Sequence, residues 1–159
     1  FDKLTTSNMK IFVGTDHAGF ELKQKLIVLL ESLGHDVEDK GAFEYDAYDD
    51  YPDFVSEVAK EISKNSDSTQ FRGIVLGGSG QGEAMVANRF KNVRAMEFYG
   101  PREGANIIKD SRGHNDSNIL SLGARMMTEE EAFKAVEEWL STPFSGDERH
   151  VRRIGKIEK

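Results

Sequence analysis

The sequence predicts an α/β fold: an open, mostly parallel sheet of five strands with helices on both faces and a C-terminal helix. Two observations lead there. Short apolar runs alternate with segments of helical period, the order expected when each strand is followed by a covering helix. No internal repeat, low-complexity tract or linker interrupts that order, so residues 9–159 read as one domain.

The elements follow in turn. Lys10 to Gly14 (KIFVG) is a short apolar run closed by glycine, suited to a buried strand. Phe20 to Leu33 sets Phe20, Leu22, Leu26, Ile27, Leu29, Leu30 and Leu33 mostly on one face, with Gly34 behind as a C-terminal cap, and predicts a helix. His35 to Asp39 makes a second strand. Gly41 to Tyr51 is an acidic, aromatic loop. Pro52 then opens a helix from Asp53 to Lys64, because proline suits the first helical turn. Phe71 to Leu76 is a third strand running into Gly77–Gly82, and a helix from Glu83 to Arg89 comes next. Val93 to Phe98 is strand-like, Arg102 to Arg112 helical, and Ile119 to Leu122 a strand ending at Gly123. Thr128 and Glu131 form a capping box ahead of the amphipathic Ala132 to Leu140 helix. A break at Pro143 precedes a last, basic helix from Gly146 to Ile157.

Composition narrows the function. In 159 residues, 21 Lys and Arg stand against 28 Asp and Glu, a net charge of −7. That balance argues against nucleic-acid binding through overall charge. The lack of cysteine excludes disulfides, thiolate metal centres and a cysteine nucleophile. No apolar run approaches the ~18–20 residues needed to cross a bilayer, so no membrane partner is expected. Phe1 to Asn8 is polar, lacks an apolar signal core, and reads as a loose extension or expression remnant ahead of Met9. A cytoplasmic location is expected.

Ligands of open α/β sheets sit beyond the carboxyl ends of the strands, which selects Thr15–Gly19, Gly77–Gly82 and the stretch around His114. Four glycines in Gly77–Gly82 let backbone N–H groups converge on an anion. Gly78, Gly80 and Gly82 give G-x-G-x-G, which is not the dinucleotide spacing, and no Gly-Lys-Ser/Thr follows to make a Walker loop. The segment is therefore either a nest for a phosphate or a developing oxyanion, or a tight turn that holds nothing. Glu83 comes directly after it. A carboxylate there suits the positive end of a helix; it is also placed to take a proton alpha to a carbonyl while the nest holds the enediolate.

The remaining candidates are read in pairs as well. Asp16 is a helix cap or, with His17 beside it, a ligand contact. Histidine as a residue type suits proton transfer to a sugar oxygen near neutral pH, which makes His114 a candidate, unless it is merely an exposed loop histidine. Arg149 and Arg153 are four apart and share one helix face, either solvated or a fork for phosphate oxygens. In an acidic chain a small anionic substrate needs such a local patch. Asp16, His17, Asp49, Asp50 and His114 could ligate a cation, but none shows a metal-binding spacing, and no metal is expected.

Taken together, Gly14–Gly19, Asp50-Tyr51-Pro52, Gly77–Glu83, Ala87-Asn88, His114–Asn118, Leu122–Arg125 and Arg149–Arg153 resemble, in order, the type B ribose-5-phosphate isomerases and their hexose-phosphate isomerase relatives. The resemblance runs from Met9 to Ile157. It implies a Rossmann-like α/β fold, a homodimer or tetramer with active sites shared between subunits, and cofactor-free interconversion of an aldose phosphate and a ketose phosphate. Many members carry a cysteine base in the Gly-rich turn. Ser79 stands there in this chain, as in a subgroup resembling the mycobacterial enzymes, which places a glutamate where Glu83 stands. The resemblance thus implies Glu83 as base, with Ser79 and the backbone of Gly78, Gly80 and Gly82 holding the enediolate. It implies His114 as the ring-opening proton carrier, Asp16, Tyr51 and Asn115 on the sugar hydroxyls, and His17, Arg125, Arg149 and Arg153 on the phosphate.

The expected reaction is ribose 5-phosphate to ribulose 5-phosphate. The nearest rival is the same chemistry on a hexose 6-phosphate, and Phe98 to Glu103 (FYGPRE) is unusual enough to reshape the sugar site. A non-catalytic phosphosugar-binding domain would keep the arginines but would not need Glu83 and His114. A dinucleotide-dependent oxidoreductase is opposed by the glycine spacing.

Overall fold

The computed structural model describes residues 8–158; the extension ahead of Met9 lies, apart from Asn8, outside them. Five strands, β1 (Lys10–Thr15), β2 (Asp36–Asp39), β3 (Phe71–Gly77), β4 (Ala95–Phe98) and β5 (Ile119–Gly123), form one sheet in the order β2-β1-β3-β5-β4. Every pairing among the described residues is parallel, so the expected mostly parallel sheet is wholly parallel. The helices are α1 (Phe20–Ser32), α2 (Tyr51–Lys64), α3 (Gln81–Ala87), α4 (Ile107–Gly113), α5 (Glu129–Ser141) and α6 (Glu148–Ile154).

The sheet is apolar on both faces because both are covered. Along β3, Ile74 and Leu76 join Leu26, Leu30, Val136 and Trp139 of α1 and α5 on one side. Val75, between them, packs with Val55, Val58, Ala59 and Ile62 of α2 and Ala87 of α3 on the other. The capping box of α5 forms as expected, Thr128 Oγ accepting from Glu131 N–H while Glu131 accepts from Thr128 N–H.

Several boundaries differ from expectation, each for a local reason. The helix expected from Arg102 starts only at Ile107, because Gly104, inside the expected span, takes a positive φ of 74° that no helix accommodates. The last helix starts at Glu148 rather than Gly146, whose φ is 72°. The helix after the Gly-rich turn begins at Gln81, which places Gly82 inside its first turn.

The topology sets the site. The chain leaves β1 toward β2 on one side and leaves β3 toward β5 and β4 on the other. The carboxyl ends of β1 and β3 therefore flank a switch point, the crevice where open α/β sheets bind ligands.

Candidate active site

Two loops meet at that crevice. Thr15 Oγ1 donates to Leu76 O across 3.1 Å, tying the end of β1 to the end of β3. Asp16 follows, buried, with Oδ1 accepting from Ala18 N–H at 2.9 Å, so the cap role read from the sequence is real. The loop before α2 reaches in through Asp49. Its Oδ1 accepts from His17 N–H at 2.9 Å and lies 2.6 Å from His17 Nδ1, which fixes the imidazole by backbone and ring together.

The Gly-rich turn is locked against β5. Gly80 has φ 83°, and its carbonyl accepts from Ser121 Oγ at 2.6 Å. A Cβ on Gly123 would lie 2.5 Å from Ser79 O, so the turn and the end of β5 approach too closely for any side chain there. Ser79 Oγ accepts from Gln81 N–H at 3.3 Å. A Cβ on Gly82 would lie 2.7 Å from the Tyr51 hydroxyl, which puts the phenol end of Tyr51 over the start of α3. Arg125 N–H donates to Gly78 O at 3.0 Å, and its exposed side chain lies alongside Gly78.

Glu83 is buried in this crevice, only 4% exposed. Its carboxylate packs onto Gly77. Burial raises its pKa above the ordinary glutamate value, and the like charges of Asp16 and Glu97 push the same way; the backbone N–H groups of Glu83 and Gly80 hold the rise back. A carboxylate beside aimed N–H donors, with its basicity raised, has what proton abstraction at carbon requires.

The structure thus gathers Asp16, His17, Tyr51, Gly78, Ser79, Gly80, Gly82, Glu83 and Arg125 at one edge. It does not bring the other predicted residues there. His114 caps the end of α4 and precedes the start of β5, so it lies at the amino edge of the sheet, and the expectation that it borders the strand ends is corrected. Asn115 is its neighbour. Arg149 and Arg153 sit on α6, whose His150 ring stacks on His114 at 4.5 Å between centroids. The two groups stand at opposite ends of β5, whose 5 residues span about 16 Å. This second group is rigidly mounted: Asp116, at φ 47°, accepts from Ser68 Oγ, Arg94 Nη2 and Arg112 Nη1, and Arg94 Nε donates to the carbonyls of Asn115 and Asp116.

Asp16, His17 and Asp49 place one potential ligand atom each within 4.8 Å of the others. The hydrogen bonds from His17 already engage Asp49, so the trio reads as a support for His17. The sequence reading weighed Asp49 only as a cation ligand and passed over Glu97. A charged residue inside the apolar run Val93–Phe98 was the available signal for Glu97; for Asp49 there was none beyond an acidic loop.

Comparison with known proteins places this architecture. The Ribose/Galactose Isomerase family matches residues 11–157. The chain belongs to that family. It is 44% identical over 146 residues to a ribose-5-phosphate isomerase B of Mycolicibacterium paratuberculosis, covering 92% of this chain and 87% of that protein. It is 40% identical over 148 residues to the Mycobacterium tuberculosis protein of the same name, covering 93% and 87%. Among solved structures, ribose-5-phosphate isomerase B from Mycoplasma genitalium with bound ribulose-5-phosphate superposes with a TM-score of 0.87 at 38% identity, covering 94% of this chain and 93% of that one.

Proposed function

We propose that this chain interconverts ribose 5-phosphate and ribulose 5-phosphate through an enediolate, with Glu83 as the base. The observation that carries the reading is the buried Glu83 carboxylate, of raised basicity, beside the Gly-rich turn. The names of the relatives and the ribulose-5-phosphate in the Mycoplasma structure support this substrate over a hexose 6-phosphate. Glu83 takes the proton from C2 of the open-chain aldehyde and returns it to C1, while the proton of the O2 hydroxyl passes to O1. N–H groups of Gly78 to Gly82, with Ser79, hold the charge that develops on oxygen. The electrons stay within the sugar, so the step needs neither metal nor other cofactor.

His114 carries the proton that opens the furanose ring, Asp16, Tyr51 and Asn115 hold the hydroxyls, and His17, Arg125, Arg149 and Arg153 hold the phosphate. Because the two groups occupy opposite edges of one chain, a working site takes Glu83 from one copy and His114, Asn115, Arg149 and Arg153 from another, in a homodimer or a pair of dimers. Among the described residues no helix is long and apolar enough to cross a membrane; the cysteine-free composition and phosphorylated substrate favour the cytoplasm.

The test is complementation. Glu83→Gln and His114→Ala are each expected to be inactive on ribose 5-phosphate, followed by NMR with EDTA present. Denatured and refolded together, they should recover about a quarter of wild-type turnover, since half the dimers are mixed and each holds one intact site. No recovery from two folded, inactive variants would sink the shared site, and activity in Glu83→Gln alone would move the base elsewhere.

A further inference from the structure

His114 and His150 are 36 residues apart in sequence, and their rings lie face to face, 4.5 Å between centroids and 15° from parallel. The two rings differ in environment. His114 is exposed, whereas His150 is 5% exposed and its Nε2 is buried with no hydrogen-bond partner among the described residues. The contrast with His17 is direct: there the Asp49 carboxylate lies 2.6 Å from the ring nitrogen. Among the described residues no carboxylate bonds His150.

The charged groups facing His150 come from two elements. His114 lies at the end of α4; Arg149 and Arg153 flank it on α6, and Asp147 caps that helix. Burial is the main influence lowering the His150 pKa, His114 and the two arginines add to it, and Asp147 alone opposes. An uncharged imidazole presents a π face that attracts a cation, whereas two imidazolium rings at this separation repel.

We propose that His150 is a positioning residue for His114: its buried ring is the platform that holds the exposed imidazole in one orientation, so that the ring-opening proton travels along a fixed line. The inference rests on the ring-opening role of His114 given above. It assigns His150, which sits between two phosphate arginines, to proton transfer instead of phosphate binding.

Two measurements test it. First, the imidazole resonances of the intact protein are titrated by NMR; the chain has only 4 histidines. His150 should titrate below an ordinary histidine, and its midpoint should move up toward the ordinary value in His114→Ala. Second, His150→Ala should turn over ribose 5-phosphate about 10–100-fold more slowly with little change in KM, the scale of loss when a catalytic group is misplaced. His150→Phe, which keeps a flat ring, should restore most of that loss. Deuterium exchange into ribulose 5-phosphate, whose C5 oxygen carries the phosphate and so cannot close a five-membered ring, should survive in His150→Ala. Ordinary, independent titration of His150, or a KM rise without a fall in turnover, overturns the proposal. A wild-type protein inactive on ribose 5-phosphate overturns the isomerase reading instead, and the NMR coupling separates that failure from this one.

Discussion

Gly77 and Glu83 are packed so that the carboxylate of the second fills the space a side chain on the first would occupy. The end of β3 is bare of side chain where the Glu83 carboxyl lies over it. Gly77→Ala should therefore fold, since its strand and partner helices are unchanged, but should displace the carboxylate and cut kcat about 100-fold or more. Circular dichroism with a turnover assay checks this; near-normal turnover would mean that the observed Glu83 position is not the working one.

Glu83→Gln should separate stability from activity. A carboxyl whose folded pKa is raised binds more protons folded than unfolded, so its ionisation costs stability as pH rises from the ordinary glutamate value through the folded one. Removing the charge should raise Tm above that window, by about 2–4 °C for each kcal/mol recovered in a domain of this size, while abolishing isomerisation. Thermal melts of both proteins at pH 5 and pH 8 read the difference, which should be larger at pH 8.

Glu97 lies beneath α3 on the same face of the sheet as Ser121, and its buried Oε1 has no partner among the described residues. When ionised it is among the influences that raise the Glu83 pKa. Glu97→Gln should shift the acidic limb of kcat/KM toward lower pH, because the base then ionises more readily, and should leave KM near normal. A pH–rate profile whose acidic limb does not move would disconnect the two carboxyls.

Asp116 holds the loop that carries His114 and Asn115. It binds Arg112, which is 1% exposed and also donates to the carbonyls of Thr142 and Ser117. Removing one partner of a buried pair leaves the other uncompensated. Asp116→Ala should cost about 3 kcal/mol in urea denaturation, the lower end of what breaking such a pair costs. Loss within a few tenths of a kcal/mol would assign the network to solvent-screened pairing.

The acid side of the stability curve should carry the mark of His35, whose pKa is lowered by burial and by the charge of Arg72. The unfolded chain then takes up more protons than the folded one once pH falls below about 6.5, so stability present above that value is lost as pH drops. His35→Gln should flatten this part of the profile, measured as urea midpoint against pH.

The strand and helix sequence was legible because its signals are local. Alternating apolar runs and amphipathic periods, the Thr128–Glu131 cap and the Gly-rich turn after β3 each depend on residues within a few positions of one another. Boundaries slipped where a glycine with positive φ, such as Gly104 or Gly146, ended a period that the side chains alone would have continued. The residue types at the candidate site were legible too, in Asp16-His17, Gly77–Glu83 and Arg149–Arg153. Their arrangement was not. That Glu83 is buried follows from its packing on Gly77, and that His17 is held by Asp49 follows from a loop 32 positions away. Only the parallel order of the strands puts the end of β3 and the start of β5 at opposite edges, and with them Glu83 and His114. Spacing along a chain carries short-range geometry; which edge of a sheet a residue reaches is decided by how all the strands pack at once.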